Sequence, residues 1–174
     1  EGGWEPVFMG IVGTIRKMLA ANDPPHASAP VWFTELGRWS SGSAADDSRQ
    51  ACDLVKATTM AIAQGAARVN WYEAKDGQGG FGLIRSDGSL RPACTALESL
   101  TASLGASPRY QGWVQINAGR DYGFVFQGPE SFVMPLWAAA GVAENVTFSA
   151  AVRVLNPQTG SIAPLSSGSS LALS

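Results

Sequence analysis

One glutamate, Glu35, occupies a position where a carboxylate can do chemistry. It follows an apolar run at 30–34, which reads PVWFT and has no polar alternation, as is typical of a parallel strand buried on both faces. Gly37 then leaves room for a sharp turn into a loop. Barrel enzymes place catalysis at the carboxyl ends of such strands, and core strands rarely carry an unpaired charge. Glu35 is therefore a candidate catalytic residue, and the alternative is a strand-end glutamate that already lies in solvent.

The elements that would position Glu35 alternate between helices and strands. Apolar residues recur at helical spacing in three segments, 8–19, 43–65 and 92–105. A second apolar run at 66–72 follows the second helix and leads into a glycine-rich loop. Ser43 and Asp46 form a possible capping box, and Pro92 stands where the first turn of a helix tolerates proline. This order predicts parallel strands joined by helical crossovers, in a barrel or a doubly wound sheet.

The character of the sequence changes near residues 105–108. Short alternating or aromatic runs then occur between Gly, Pro and Asn turns, at 113–116, 122–127, 132–137, 146–148 and 151–155. The end of the chain, 166–174, has the pattern of a strand that is cut short. We predict an α/β domain over 1–105 and a β-rich accessory domain over 106–174.

Several segments resemble one enzyme family. The motif PVWFTELG at 30–37 resembles the seventh strand of the clan A glycoside hydrolases, family 39 and its relatives among them, in which the Glu of such a motif is the nucleophile. The segment NWYE at 70–73 resembles the eighth strand. Further on, 81–93 resembles the approach to the eighth helix, although Arg91 and Cys94 depart from the family's Lys-Pro-Ala-Tyr. The stretch NPQTG at 156–160 resembles the β-sandwich beside such barrels.

This resemblance implies an α/β fold, a partial TIM (β/α)8 barrel made of its last strands and helices, followed by a small antiparallel β-sandwich-like domain. It implies a retaining glycosidase with Glu35 as the nucleophile, and such an enzyme needs a second carboxyl group about 5 to 5.5 Å away. No Asn-Glu pair of the family's kind precedes Glu35, so we expect the acid/base in an N-terminal part that the chain lacks.

Length leads to the same expectation, because a complete barrel takes about 200 to 250 residues. The expected partner is a missing N-terminal barrel half, a separate chain or a second copy, which would cover the exposed strand edges and sheet face. The alternative function is a non-catalytic carbohydrate-binding or assembly module derived from such a barrel.

Four further residues are candidates for contact with a carbohydrate substrate. The resemblance implies that Trp71 forms the floor of the sugar subsite next to the scissile bond. Trp39 lies beyond Glu35 on the same loop and could stack on a sugar ring, or simply pack within the loop. Glu73 and Asp76 could bind substrate hydroxyls, although charged residues in a glycine-rich loop are more often solvated.

Composition excludes several other functions. With 12 Lys and Arg and a net charge of −2, the 174 residues carry no basic stripe for nucleic acid. No apolar run reaches the roughly 18 to 20 residues that span a membrane. We expect no cofactor and no metal, since one histidine and two cysteines cannot form a zinc site and no nucleotide fingerprint is present. We expect a secreted or periplasmic location, although the first residues carry no signal peptide.

The two cysteines leave one alternative open. A bridge between Cys52 and Cys94 is possible, and the other interpretation, which we favour, is a pair of buried free thiols.

Overall fold

The computed structural model describes residues 3–77, 79–117 and 119–173. The fold is mixed α/β: helices and a pair of parallel strands come first, and several small antiparallel sheets follow. Within the described ranges, no sheet runs through both the N-terminal region (3–105) and the C-terminal region (106–173). No helix in those ranges is both long and apolar enough to cross a membrane.

The N-terminal region has the predicted order of helices and strands. Its elements are α1 (Glu5–Phe8), α2 (Ile11–Asn22), a short 3-10 helix (Pro24–His26), β1 (Trp32–Leu36), α3 (Ala44–Ala63), β2 (Arg68–Trp71) and α4 (Pro92–Leu104). The opening segment was predicted as one helix, and the structure divides it between Phe8 and Ile11. The Ser43 hydroxyl accepts a hydrogen bond from the Asp46 N–H at 3.2 Å, which confirms the cap of α3. Pro92 opens α4, and Gly105 follows its end with φ 72°.

β1 and β2 pair in parallel, with α3 as the connection between them. Trp32 lies opposite Arg68 and Phe33 opposite Val69, but Leu36, not Glu35, lies opposite Trp71. Three residues of β1 therefore span the same distance as two residues of β2. Such a bulge changes which side chains share a face of the sheet, because side chains alternate along a strand.

Within the described residues, only one face of this parallel pair is covered. Phe33 stacks on Phe8 of α1 with ring centroids 5.3 Å apart, so it lies on the helix side. Trp32 is 53% exposed, and Thr34 and Glu35 are exposed as well. The prediction that β1 is buried on both faces is wrong for this chain, since helices of the described residues cover a single side. We call the uncovered side the open face.

Small residues let α3 and α4 pack closely behind the strands. The buried cluster between the helices consists of Ala51, Leu54, Ala93 and Ala96. Alanine at three of these four positions brings the helix axes close together, and the longer side chains of Val55 and Leu97 pack at the margin. This layer is the support against which the strand ends rest.

The C-terminal region is a set of short antiparallel strands. They are β3 (Arg109–Val114), β4 (Asp121–Gln127), β5 (Phe132–Val133), β6 (Leu136–Ala138), β7 (Glu144–Thr147), β8 (Val152–Leu155), β9 (Ile162–Leu165) and β10 (Ser170–Leu173). β4 pairs with β3, β5 and β6, while β7 pairs with β10 and β8 with β9. The predicted run 132–137 is interrupted at Met134 and Pro135, and β9 was not predicted.

The two regions share one hydrophobic cluster. Phe124 and Phe126 of β4 are fully buried and belong to one cluster with Met60 of α3 and Leu100 of α4. Trp137 stacks on Phe124 with ring centroids 5.3 Å apart. The boundary near residue 105 thus separates the sheets, but the core continues across it.

The cysteines are unbridged. Cys52 is exposed on α3 and Cys94 is half-buried in α4. The expectation of two buried thiols is therefore wrong for Cys52. Gln158 of the C-terminal region places its Nε2 3.2 Å from the Cys52 sulfur.

A buried ion-pair network centres on Arg91, whose side chain is 4% exposed. One guanidinium nitrogen lies 2.6 Å from an Asp47 oxygen, and another lies 2.6 Å from an Asp76 oxygen. Asp47 also pairs with Arg85 and accepts a 2.6 Å hydrogen bond from the Ser40 hydroxyl. Ser40 belongs to the loop after β1, and Asp76 and Arg85 belong to the loop after β2. The network therefore ties both loops to the first turn of α3.

Arg91→Met should lower the free energy of unfolding by about 3 kcal/mol or more, because it leaves two buried carboxylates without their partner. Arg49→Met is the matched control: Arg49 is exposed and lies 3.6 Å from Asp46, so its loss should change stability little. Urea unfolding of both variants measures the difference. Equal stabilities of the two variants would contradict the importance of the network.

The same network predicts a pH dependence. Burial alone would raise the pKa of Asp47, but hydrogen bonds from Ser40, Arg85 and Arg91 outweigh it and lower that pKa below its usual value. The ionised Asp47 therefore stabilises the fold above about pH 4, and this contribution is lost as the pH falls further. Urea unfolding should show Asp47→Asn to be less stable than wild type near neutral pH, with the gap closing on acidification. A gap independent of pH would refute the assignment.

Candidate functional site

Glu35 is the next-to-last residue of β1 and lies at the carboxyl end of the parallel pair. Its side chain is exposed, and within the described residues it makes no hydrogen bond or ion pair. Asn70 of β2 is also exposed, and its side-chain amide donates to the Thr34 carbonyl at 3.4 Å. Glu35 therefore presents a carboxylate to solvent at the strand end.

Trp71 lies at the same end of the sheet, but its side chain faces the helices. It packs against the alanine cluster of α3 and α4, and its indole N–H donates to the Phe81 carbonyl at 3.3 Å. The strand ends are close, since the Tyr72 N–H donates to the Leu36 carbonyl at 2.6 Å. The bulge in β1 nevertheless puts Leu36 opposite Trp71, and the cavity that Trp71 and Leu36 line does not include Glu35 among its lining residues. The subsite role of Trp71 stays a prediction.

Trp39 lies on the loop after β1 and is 54% exposed. This loop is held from behind: the Ser40 N–H donates to the Gly80 carbonyl at 2.9 Å. The Gln50 side chain, fully buried, donates to the carbonyls of Arg38 and Gly80. Trp39 thus presents an exposed indole from a fixed backbone, the arrangement that a stacking platform requires.

Glu73 and Asp76 both have partners inside their own loop. The Glu73 carboxylate accepts from the Gly77 N–H at 3.2 Å, and its backbone bonds to Phe81 and Leu83. Asp76 accepts from the Gly82 N–H at 2.6 Å in addition to its ion pair with Arg91. The peptide bond between Tyr72 and Glu73 is cis. These contacts give both carboxylates a structural role, and their contact with substrate stays a prediction.

Glycines are required where the two loops meet the strands. A Cβ at Gly37 would lie 2.5 Å from the Tyr72 carbonyl oxygen, so only glycine lets β1 turn beside β2. A Cβ at Gly80 would overlap the Ser40 carbonyl oxygen, and one at Gly82 would overlap the Asp76 backbone nitrogen. The glycine-rich composition of the second loop therefore serves close backbone packing.

Sequence reasoning missed the other side chains of the open face. The Arg68 guanidinium stacks over the Trp32 ring, 4.6 Å from its centroid, and Asn70 lies on the same strand as Arg68. The alternation of polar and apolar residues in β2 could have predicted this exposed face, because Arg68 and Asn70 alternate with the half-buried Val69 and Trp71. Among the described residues, no group of three His, Cys, Asp or Glu side chains could hold a metal ion.

Gly80→Ala should destabilise the protein by about 2 kcal/mol or more, since the new methyl group would force the loops apart. Gly13→Ala is the control: Gly13 is exposed in α2 with open space around it, and alanine there should stabilise by about 0.5 to 1 kcal/mol. Thermal unfolding of both variants measures the two signs. A Gly80→Ala variant as stable as wild type would refute the tight contact.

No protein-family model matches the sequence, and no curated protein matches it significantly. The likeness to the clan A glycoside hydrolases therefore rests on the motifs around Glu35 and Trp71 and on their order along the chain.

Proposed function

We propose that this chain is the C-terminal part of a retaining glycoside hydrolase in which Glu35 is the nucleophile. The observation that carries the proposal is an exposed glutamate at the carboxyl end of a parallel strand, within the motif Thr34-Glu35-Leu36-Gly37. The next strand along the chain lies beside it, and the two following loops are fixed by buried ion pairs. A nucleophile needs such a combination of access and a rigid support.

In this proposal the run β1-α3-β2-α4 forms the last two units of a (β/α)8 barrel. The parallel pairing of β1 with β2 across a helical connection supports it. The open face, with exposed Trp32 and Glu35, would then be the inner wall of the barrel, and the missing N-terminal half would cover it. The C-terminal region would be the β-sandwich-like domain beside the barrel.

The proposed reaction is a double displacement. The Glu35 carboxylate attacks the anomeric carbon while the acid/base protonates the leaving oxygen, and water then hydrolyses the glycosyl-enzyme with the acid/base acting as base. The acid/base would come from the part of the barrel outside this chain. Trp39 and Glu73 are the proposed direct contacts to the sugar from the two loops. Trp71 and Asp76 were predicted from the sequence as further sugar contacts, and because both already pack or pair within the protein, we propose that they support the site from behind instead.

A second candidate is a non-catalytic carbohydrate-binding or assembly module. The observation that favours it is that Glu73 and Asp76 have partners in their own loop, which leaves Glu35 as the only unpaired carboxylate among the proposed site residues of the described chain. The two candidates differ in what precedes this chain in its gene. A strand that ends in Asn-Glu supports catalysis, and an unrelated domain supports the module.

The isolated chain should show little or no glycosidase turnover. Without a proton donor an alkyl alcohol leaves as an unstabilised alkoxide, and general acid catalysis is worth about 10² to 10⁴ in rate. Aryl glycosides with good leaving groups are the sensitive substrates, because they need less acid assistance. Robust hydrolysis of a natural disaccharide by this chain alone would show that the acid has been misplaced.

Joined to its upstream segment, the protein should hydrolyse glycosides, and Glu35→Gln should reduce turnover to the background rate while sugar binding is largely kept. Glu98→Gln is the matched control, since Glu98 is an exposed glutamate on α4. Initial rates with an aryl glycoside compare the two variants. Unchanged activity of Glu35→Gln would show that the nucleophile is another residue.

A further inference from the structure

A cavity of about 300 Å³ opens on the helix side of the strand ends, away from Glu35. α1, the carboxyl end of β1 and α3 form its walls, and its lining residues are Trp4, Phe8, Leu36, Gly37, Arg38, Asp53, Ala57 and Trp71. This volume is at the lower end of the range for small-molecule sites, about 300 to 1,000 Å³. The cavity is therefore large enough for one small ring.

Three aromatic rings form the apolar walls of this cavity: those of Trp4, Phe8 and Trp71. Each of them is held by a neighbouring group. Trp4 meets Phe8 edge to face with centroids 5.4 Å apart, and Phe8 in turn stacks on Phe33. The indole N–H of Trp71 is held by the Phe81 carbonyl. Rings that are already packed lose little conformational entropy when a ligand covers them.

The polar edge of the cavity is an ion pair. An Arg38 guanidinium nitrogen lies 2.6 Å from an Asp53 carboxylate oxygen, and both side chains are partly exposed. The pair offers a donor and an acceptor side by side. A hydroxyl group both donates and accepts, so adjacent hydroxyls on a ring match such a pair.

Other ligand classes match this edge less well. A phosphate or carboxylate would meet a guanidinium that Asp53 already neutralises, and the Asp53 charge would repel it. A purely apolar ligand would desolvate the ion pair without replacing its lost hydrogen bonds to water. A sugar ring has an apolar C–H face for the aromatic walls and a hydroxyl edge for the ion pair.

We propose that this cavity is a second carbohydrate site, which takes a single pyranose ring between Trp4 and Trp71 with its hydroxyls on Arg38 and Asp53. The site goes beyond the proposed hydrolysis, since it lies apart from Glu35 and does not require a nucleophile. In a glycosidase it would hold a sugar outside the cleavage site. In a binding module it would be a recognition site.

Titration with methyl β-glucoside, methyl β-xyloside and methyl β-galactoside tests the proposal, with phenylacetate and inorganic phosphate as the competing classes. The readout is the shift of the Trp indole N–H signals in ¹⁵N-labelled protein. We expect at least one glycoside to move the Trp4 and Trp71 signals, with binding about tenfold weaker in Trp4→Ala. Ala57→Leu, which fills the cavity, should abolish binding. Trp113→Ala is the matched control, because Trp113 is a similarly exposed tryptophan on β3.

The results that would overturn the proposal are distinct from a failure of the proposed function. Binding that survives Ala57→Leu, or that is lost instead in Trp39→Ala, a change outside the cavity, would assign the sugar to the Glu35 site. Binding of phenylacetate or phosphate without any glycoside would refute the ligand class, and no binding of any probe would refute the site. Should Trp4→Ala or Ala57→Leu fail to fold, Arg38→Ala decides, since it changes a partly exposed side chain and should also weaken binding about tenfold.

Discussion

The bridge that Arg91 makes between Asp47 and Asp76 is the contact on which the carboxyl edge of the parallel strands depends. It joins residues 44 and 15 positions apart in the chain, and so connects the first turn of α3 with the loop after β2. Burying these three charges costs desolvation energy that their attraction only partly offsets. The Nε of Arg91 is also buried without a hydrogen-bond partner in the described structure. The network is therefore better understood as a determinant of loop geometry than as a large net source of stability.

Close backbone contacts also hold the loops after β1 and β2 together, in addition to the ion pairs. Gly80 brings the second loop onto the Ser40 carbonyl, and the Gln50 amide bonds to both loops from inside α3. Charges, a buried amide and glycines thus fix the backbone around Glu35 and Trp39 before any ligand is present. Preorganisation of this kind is what catalysis and binding both require, and so it does not distinguish the two proposed functions.

The two faces of the parallel pair have different environments. The helix side holds the proposed second carbohydrate site, and the open face holds the proposed nucleophile. The helix side is packed by the alanine cluster, with one cavity left between α1 and α3. The open face carries Trp32, Arg68 and Glu35 in contact with solvent. Trp32 and Glu35 are both exposed on this face, and the Arg68 guanidinium lies over the Trp32 ring. This exposure agrees with the proposal that further strands of a barrel cover it.

The sequence by itself determined the order of the elements in the N-terminal region and the ends of α3 and α4. Helical periodicity, the Ser43 cap, Pro92 in a first turn and Gly105 after the last turn are local signals, because capping and proline geometry depend on residues within one turn. The position of Glu35 at a strand end was predictable in the same way. The antiparallel strands were located approximately, except where Pro135 interrupts a run and where β9 carries a proline, Pro164, that weakens the strand pattern.

Only the tertiary structure decided which side chains share the site. A bulge of one residue in β1 places Leu36 opposite Trp71 and turns Glu35 to the other side, and no residue in the segment signals it. The partner of Asp76 is Arg91, which the sequence marked only as a departure from a family motif. Exposure of Cys52 likewise depends on which side of α3 faces α4. These outcomes come from contacts between residues far apart in the chain, which local patterns do not encode.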